Sequence, residues 1–287
     1  MSLKYKMLLV FLSFVGVCTY MIYPKRIVHN TDAHHGLRDK HVPKLSVRIH
    51  DSILKKKVTC VKKTNVNYRS QSNEDKAMFE KFYKSPLKCG GVFVEIGALD
   101  GLKYSNSYFF EKALGWKSLL VEAHPQNAAA LKKNRPDAWT VHAAMCTGDH
   151  VTFVGAGATG GVVDTMSPDH KKAFISKTYK NITVKCRQWG PLFKKYGIQH
   201  IDVFVIDVEG GEYTVLSVMD WTVSVDFFII ETSSSSSNEN RQRIVTLLKS
   251  KGYKQVNWDL KSWCTPGNDC TSNTVFEKDL DKDFVRG

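Results

Sequence analysis

The sequence has no C-x-x-C pair, no histidine spacing of the kind that holds zinc, and no internal repeat. These absences exclude a zinc module and a repeat array. Acidic residues are scarce in one region only: residues 1–70 carry 14 Lys+Arg against 3 Asp+Glu, whereas residues 71–287 carry 27 against 25. The formal net charge of +13 is thus concentrated near the N-terminus. A protein that tracks nucleic-acid phosphates carries its basic face on the folded domain, so a nucleic-acid partner is not expected. The basic segment reads as a solvated tether, with attraction to anionic lipids or acidic glycans as the alternative. A content of 43% hydrophobic and 11% aromatic residues over 287 positions excludes a disordered or collagenous chain and suffices for one large α/β domain or two small ones.

Met7 to Tyr23 is a charge-free run flanked by Lys4 and Lys6 before it and by Lys25 and Arg26 after it. At about 1.5 Å per residue it sits at the short end of what spans a bilayer. It reads as an uncleaved signal anchor, with residues 1–6 as a cytoplasmic tail and 24–69 as a basic stem. A signal peptide cleaved before Thr19, which would give a secreted protein, is the alternative. Flanking charges do not fix the orientation, but a short tail before the anchor and a domain after it suit a type II single-pass protein. Its domain would lie in the lumen of the endoplasmic reticulum or Golgi. The cysteines outside the anchor are Cys60, Cys89, Cys146, Cys186, Cys264 and Cys270, and their pairing is open. Cys264 and Cys270 flank a Pro266-Gly267-Asn268 turn that a bridge would clip, which an oxidising lumen permits. Asn181-Ile182-Thr183 is a glycosylation sequon consistent with that compartment.

Past the stem, Ser72 precedes an apolar-periodic stretch with Ala77, Met78, Phe79 and Phe82, which predicts a helix capped by Ser72. Gly90-Gly91 followed by Val92 to Ile96 predicts a buried strand that ends in a glycine turn. Helices are expected over 105–114, 127–134 and 238–250. Strands are expected over 118–122, 139–144, 151–154, 201–207, 226–231, 253–258 and 273–277. Residues 155–169, rich in Gly, Thr, Ser and Pro, read as a long loop. Strands that alternate with helices before a terminal hairpin predict an α/β fold over 70–287, with a mostly parallel sheet covered on both faces.

In such a sheet, ligands bind beyond the carboxyl ends of the strands. Glu95-Ile96-Gly97-Ala98-Leu99-Asp100-Gly101 stands at one such end, and glycine there lets backbone approach a ligand closely. The segment lacks the G-x-G-x-x-G of a dinucleotide turn, and Glu95 and Asp100 would repel a pyrophosphate. They suit a ligand with positive charge, such as the sulfonium and ammonium of S-adenosylmethionine, better than NAD. Glu122, ending the second strand, is placed to accept hydrogen bonds from two ribose hydroxyls. Asp207-Val208-Glu209-Gly210-Gly211-Glu212 gathers three carboxylates at another strand end. Asp207 or Glu209 there can take a proton from a hydroxyl or hold a divalent metal that acidifies it. Glu212 equally reads as an acid favoured by a helix N-terminus.

Together with Ser70 to Asp75, Ser105-Asn106-Ser107, Leu120 to Pro125 and Ile230-Glu231, these segments resemble the FkbM family of S-adenosylmethionine-dependent methyltransferases over about residues 70–280. The resemblance implies a class I methyltransferase fold, a Rossmann-like sheet of seven strands with a C-terminal antiparallel hairpin. It also implies methyl transfer to oxygen, with a hydroxyl-bearing glycan as the expected acceptor. Carried over by position, Glu95, Gly97, Ala98, Asp100 and Gly101 would hold the methionine part of the donor and Glu122 the ribose. Ala123 and His124 would border the adenosine, and Asp207 would lie nearest the transferred methyl. The 155–169 loop and the Ser233–Ser237 run are candidate acceptor loops. The alternative is a non-catalytic, membrane-anchored trafficking or interaction protein, against which the intact donor-site acids speak.

Overall fold

The computed structural model describes residues 62–232, 238–256 and 273–279. The expected anchor over 7–23, the Cys264 to Cys270 turn and the serine run at 233–237 lie outside these residues. Among the described residues no helix is long and apolar enough to cross a membrane.

A short helix α1 (Glu74–Met78) continues into a π-helical turn, Phe79–Tyr83, ahead of β1 (Val92–Ile96), α2 (Tyr108–Leu114), β2 (Lys117–Glu122), α3 (Pro125–Asn134) and β3 (Trp139–His142). Next come β4 (Ala144–Met145), β5 (His150–Val154), β6 (Gly161–Val162), α4 (Pro168–Phe174), β7 (Ile182–Arg187) and α5 (Trp189–Tyr196). The described chain closes with β8 (His200–Ile206), α6 (Glu212–Ser217), β9 (Ser224–Glu231), α7 (Asn238–Ser250), β10 (Tyr253–Gln255) and β11 (Asn273–Lys278).

The main sheet has seven strands in the order β10-β11-β9-β8-β1-β2-β3. Neighbours from β9 through β3 pair parallel, while β11 runs antiparallel to both β9 and β10. This is the expected mostly parallel α/β sheet with a C-terminal antiparallel pair. Side chains of a strand alternate between faces, and both faces here are apolar. Val94, Ile96, Leu119, Val121, Phe204, Ile206, Phe228 and Ile230 enter one core with Trp189, Ile244 and Leu248. Phe93, Val203, Val205 and Ile229 enter the other with Phe79, Phe110 and Trp116. Burial on both sides explains why these strands read as continuous apolar runs.

A second sheet, in the order β4-β7-β5-β6, occupies the segment expected to hold one extra strand and a loop. The chain leaves the main sheet after β3, and β4 pairs parallel with β7, Ala144 opposite Cys186. A Cys146–Cys186 disulfide ties the two strands, and Cys89 is also disulfide-bonded. Gly155 to Gly160 spells G-x-G-x-x-G. It joins antiparallel β5 to β6, whereas a dinucleotide turn leads from a strand into a helix.

Several boundaries differ from expectation. The strand expected over 139–144 breaks after His142, and Ala144 joins the second sheet. Helix α1 starts after Asn73, at φ 62° with no side-chain cap, while the backbone N–H of Ser72 donates to Glu74 Oε2 at 2.8 Å. Ser72 is therefore not the cap. Residues 105–107 precede α2 because their polar groups turn toward Glu95. The packed unit also begins before residue 70, with Val66 and Tyr68 against the second core and Lys63 N–H donating to Ala113 C=O at 2.9 Å.

Candidate active site

Strand register builds the site. Ile96 pairs with Val121 on one side and Ile206 on the other, and Ile206 pairs with Ile230. The next residues, Glu122, Gly97, Asp207 and Glu231, therefore form a row across the carboxyl edge. The chain turns to opposite sides of the sheet from β1 and β8, so the row spans the crevice where open α/β sheets bind ligands. A cavity of about 720 Å³ opens there, lined by Gly97, Ala98, Glu122, Ala123, Asp207 and Glu231 among others.

Gly97 is required by a close approach. At φ +81°, a Cβ on it would stand 1.8 Å from the Asp207 carbonyl oxygen. Glu95, 3% exposed, lines the cavity but spends its carboxylate on the protein. It accepts from Asn106 N–H at 2.8 Å, Ser107 Oγ at 2.6 Å and Ser105 Oγ at 3.1 Å. Buried Arg135 holds the far side of that segment, donating to Gly101 C=O at 2.9 Å and to Glu111 Oε2 at 2.6 Å. Asp100 and Gly101 are absent from the cavity wall. The Asp100 carboxylate accepts from Leu102 N–H and Lys103 N–H at 2.9 and 2.8 Å, closing a turn.

Glu122 faces the cavity with partners already on both oxygens: Leu99 N–H at 2.9 Å and His124 N–H at 2.8 Å. Asn127 Nδ2 also donates to Oε1, at 3.4 Å, so of the roughly four acceptor sites of a carboxylate a ribose hydroxyl would take the one left or displace Asn127. Burial pushes its carboxyl up to about 7 against the pull of those hydrogen bonds. His124 stands behind the wall with Nδ1 buried and unpartnered, beside the Phe153 ring at 5.9 Å. Burial, and then His142, lower its pKa.

The acids meet at the ends of β8 and β9. Oxygens of Asp207, Glu209 and Glu231 lie within 4.8 Å of one another. Burial first, then the charges of Glu231 and Glu209, raise the Asp207 carboxyl well above the usual range, and Asp207 hydrogen-bonds to Glu231. Two carboxyl groups can hydrogen-bond only through a proton. Glu209, in the left-handed region at φ 56°, is pushed up to about 8 by burial, Glu231 and Glu212. Glu212 is wholly buried and accepts from Gly210 N–H at 2.9 Å. It therefore holds the 208–210 turn. The spacing of the three acids would admit a divalent cation, while Glu209 also contacts His170. None of them is assigned as a metal ligand.

Residues 95–254 match the methyltransferase FkbM domain. The chain belongs to the FkbM methyltransferase family. No curated protein matches it. Among solved structures it is similar to a TehB-like SAM-dependent methyltransferase from Corynebacterium glutamicum, at 12% identity over 71% of this chain and 87% of that one, with a TM-score of 0.39. It is similar to a methyltransferase from Pyrococcus furiosus at 12% identity, over 82% and 96% of the two chains, with a TM-score of 0.37. It is also similar to the plantazolicin methyltransferase BamL, solved with a triazolic desmethylPZN analog and SAH, at 9% identity over 73% and 86%, with a TM-score of 0.41.

The FkbM domain also contains a site residue that the sequence reading passed over. His170, on α4, is 4% exposed and places Nδ1 at 3.3 Å from Glu209 Oε2. It comes from the stretch expected to be loop and the residues just after it. Ser167-Pro168, an N-cap followed by proline at the first helical position, was the available signal for a helix there. Gly161 lets this insertion close on the site, since a Cβ would stand 3.3 Å from Glu209 Cβ and 2.8 Å from Met166 Cε.

Proposed function

We propose that this FkbM domain transfers a methyl group from S-adenosylmethionine to a hydroxyl oxygen, with a glycan as acceptor. The observation that carries the reading is the row Glu122, Gly97, Asp207 and Glu231 along one wall of the cavity. It joins a backbone that a ligand can approach closely to acids that lie too near each other to ionise together. A sulfonium and an ammonium supply the missing positive charge. Ala98 and Gly97 fit the methionine part, Glu122 the ribose, and Ala123 a wall of the adenosine site. Once bound, the donor supplies a methyl carbon open to in-line attack. The protein's part is to hold the acceptor oxygen on that line and to receive its proton.

The Cys146–Cys186 disulfide supports work in an oxidising compartment, as a type II membrane protein of the endoplasmic reticulum or Golgi. Methyl transfer is tested with S-adenosylmethionine labelled at the methyl carbon and a panel of methyl pyranosides. Label appearing as a methyl ether is the expected result, and label on nitrogen or sulfur would reject the oxygen assignment. Protease protection in intact microsomes tests the lumenal position, and digestion of the domain there would refute it.

A further inference from the structure

Each ring nitrogen of His170 faces an oxygen. Nε2 lies 3.0 Å from the Thr159 carbonyl oxygen, which can only accept, so Nε2 carries a hydrogen. Nδ1 lies 3.3 Å from Glu209 Oε2. A lone pair on nitrogen would repel a bare carboxylate, so this contact needs a proton between the two atoms. The imidazole is buried, its helix capped by the Ser167 hydroxyl at 3.1 Å from His170 N and its ring 4.8 Å from that of Phe174. Both His170 and Glu209 line the cavity.

We propose that His170 is the final proton acceptor of methyl transfer, reached through the carboxyl group of Glu209. The proposal rests on the reading of the site given above. As the acceptor oxygen bonds to the methyl carbon and the carbon–sulfur electron pair leaves with sulfur, the hydroxyl proton passes to Glu209 Oε1. The proton on Oε2 passes to His170 Nδ1. Glu209 ends neutral, and the positive charge lost from the sulfonium is found on the imidazolium. His170 acts through Glu209 and is a positioning residue.

The surroundings agree with a protonated Glu209. Glu231 from β9, Glu212 from α6 and burial push its carboxyl up to about 8. Asp207, its third acidic neighbour, is hydrogen-bonded to Glu231. On the histidine side the packed groups are the Thr159 carbonyl, the Ser167 hydroxyl and the Phe174 ring.

The full chain labelled with 15N-histidine tests this without an acceptor, the His170 signals being those lost in His170→Gln. At neutral pH Nε2 should be protonated and Nδ1 an acceptor, and Glu209→Gln should move the Nδ1 resonance. A protonated Nδ1, whether or not Nε2 also carries a hydrogen, or an Nδ1 shift indifferent to Glu209→Gln, would overturn the proposal. With methyl pyranosides as acceptors, His170→Gln should lower kcat about 10²-fold and remove one ionisation from the pH–rate profile, with S-adenosylmethionine affinity unchanged by calorimetry. Unchanged turnover would overturn the part given to His170 alone, whereas a wild-type chain that binds no S-adenosylmethionine would overturn the underlying reading.

Discussion

Strands β8 and β9 carry acids at both ends, and the two ends satisfy them differently. At the amino end Asp202, 2% exposed, accepts from Val92 N–H at 2.7 Å and pairs with Lys88. Asp226 there takes His200 Nε2 at 3.2 Å. At the carboxyl end, seven residues or fewer away, Asp207, Glu209 and Glu231 meet one another and His170. The first end resembles an ordinary structural ion pair, whose loss costs stability. At the second, burial and neighbouring carboxylates raise the carboxyl groups of Asp207 and Glu209, and such an arrangement gives up stability for a site that a cation completes. The difference teaches that carboxylates at strand ends report function only when their partners are known.

The contrast breaks most severely at Gly97. Gly97→Ala forces a Cβ into the Asp207 carbonyl at a φ that disfavours side chains, and should cost more than about 3 kcal/mol. Denaturant unfolding measures this, and a loss below 1 kcal/mol, in the range of about one ordinary substitution, would mean the two strand ends can separate freely.

Next come paired substitutions at the two ends. Asp202→Ala should destabilise by about 2 kcal/mol, because Val92 N–H loses its acceptor and Lys88 its partner. Glu209→Gln should stabilise the ligand-free chain at pH 9. The sign follows from linkage: carboxyl groups raised to about 7 and about 8, Glu122 and Glu209, hold protons in the folded state that the unfolded state has released. Stability therefore falls as pH rises from about 5 to 8, by up to about 1.4 kcal/mol per pH unit for each such group. Glu209→Gln should flatten that slope. Equal destabilisation at both ends would erase the distinction.

Glu122→Ala sharpens the comparison inside the site. Donor binding should weaken by about 1.5–3 kcal/mol, the scale of hydrogen bonds to a charged group. A folded variant with unchanged affinity would remove Glu122 from the donor site.

Much of this frame is legible in the sequence because its strands are buried on both faces. VFVEI and the run from Ile201 to Ile206 have no other stable place than the centre of a sheet, and their ends carry the acids. The second sheet was hidden for the opposite reason. β7 reads ITVKCR, with Thr183, Lys185 and Arg187 exposed, and its partners β5 and β4 are some 30 to 40 residues away, as Ala144 opposite Cys186 shows. The alternation has the two-residue period of a half-buried strand, but pairing at that distance leaves no local sign of its partners. The Cys146–Cys186 bridge was hidden likewise, and with it the turn that carries His170 to Glu209. Glu95 and Asp100 were legible as acids beside a glycine turn, but spacing says nothing of whether a carboxylate faces ligand or its own backbone. Here Asp100 closes a turn and Glu95 holds Ser105, Asn106 and Ser107.

The central claim, that the crowded acids of the carboxyl end await a cationic methyl donor, is tested most directly by titrating the full chain with S-adenosylmethionine in calorimetry. Two buffers of different protonation enthalpy should be used at each pH between 6 and 7.5. The account predicts binding with release of protons to the buffer, because the arriving positive charge draws Asp207 and Glu122 into their ionised forms while Glu209 keeps the proton it shares with His170, and affinity that strengthens as pH rises. Absence of binding, or binding accompanied by proton uptake, would contradict it.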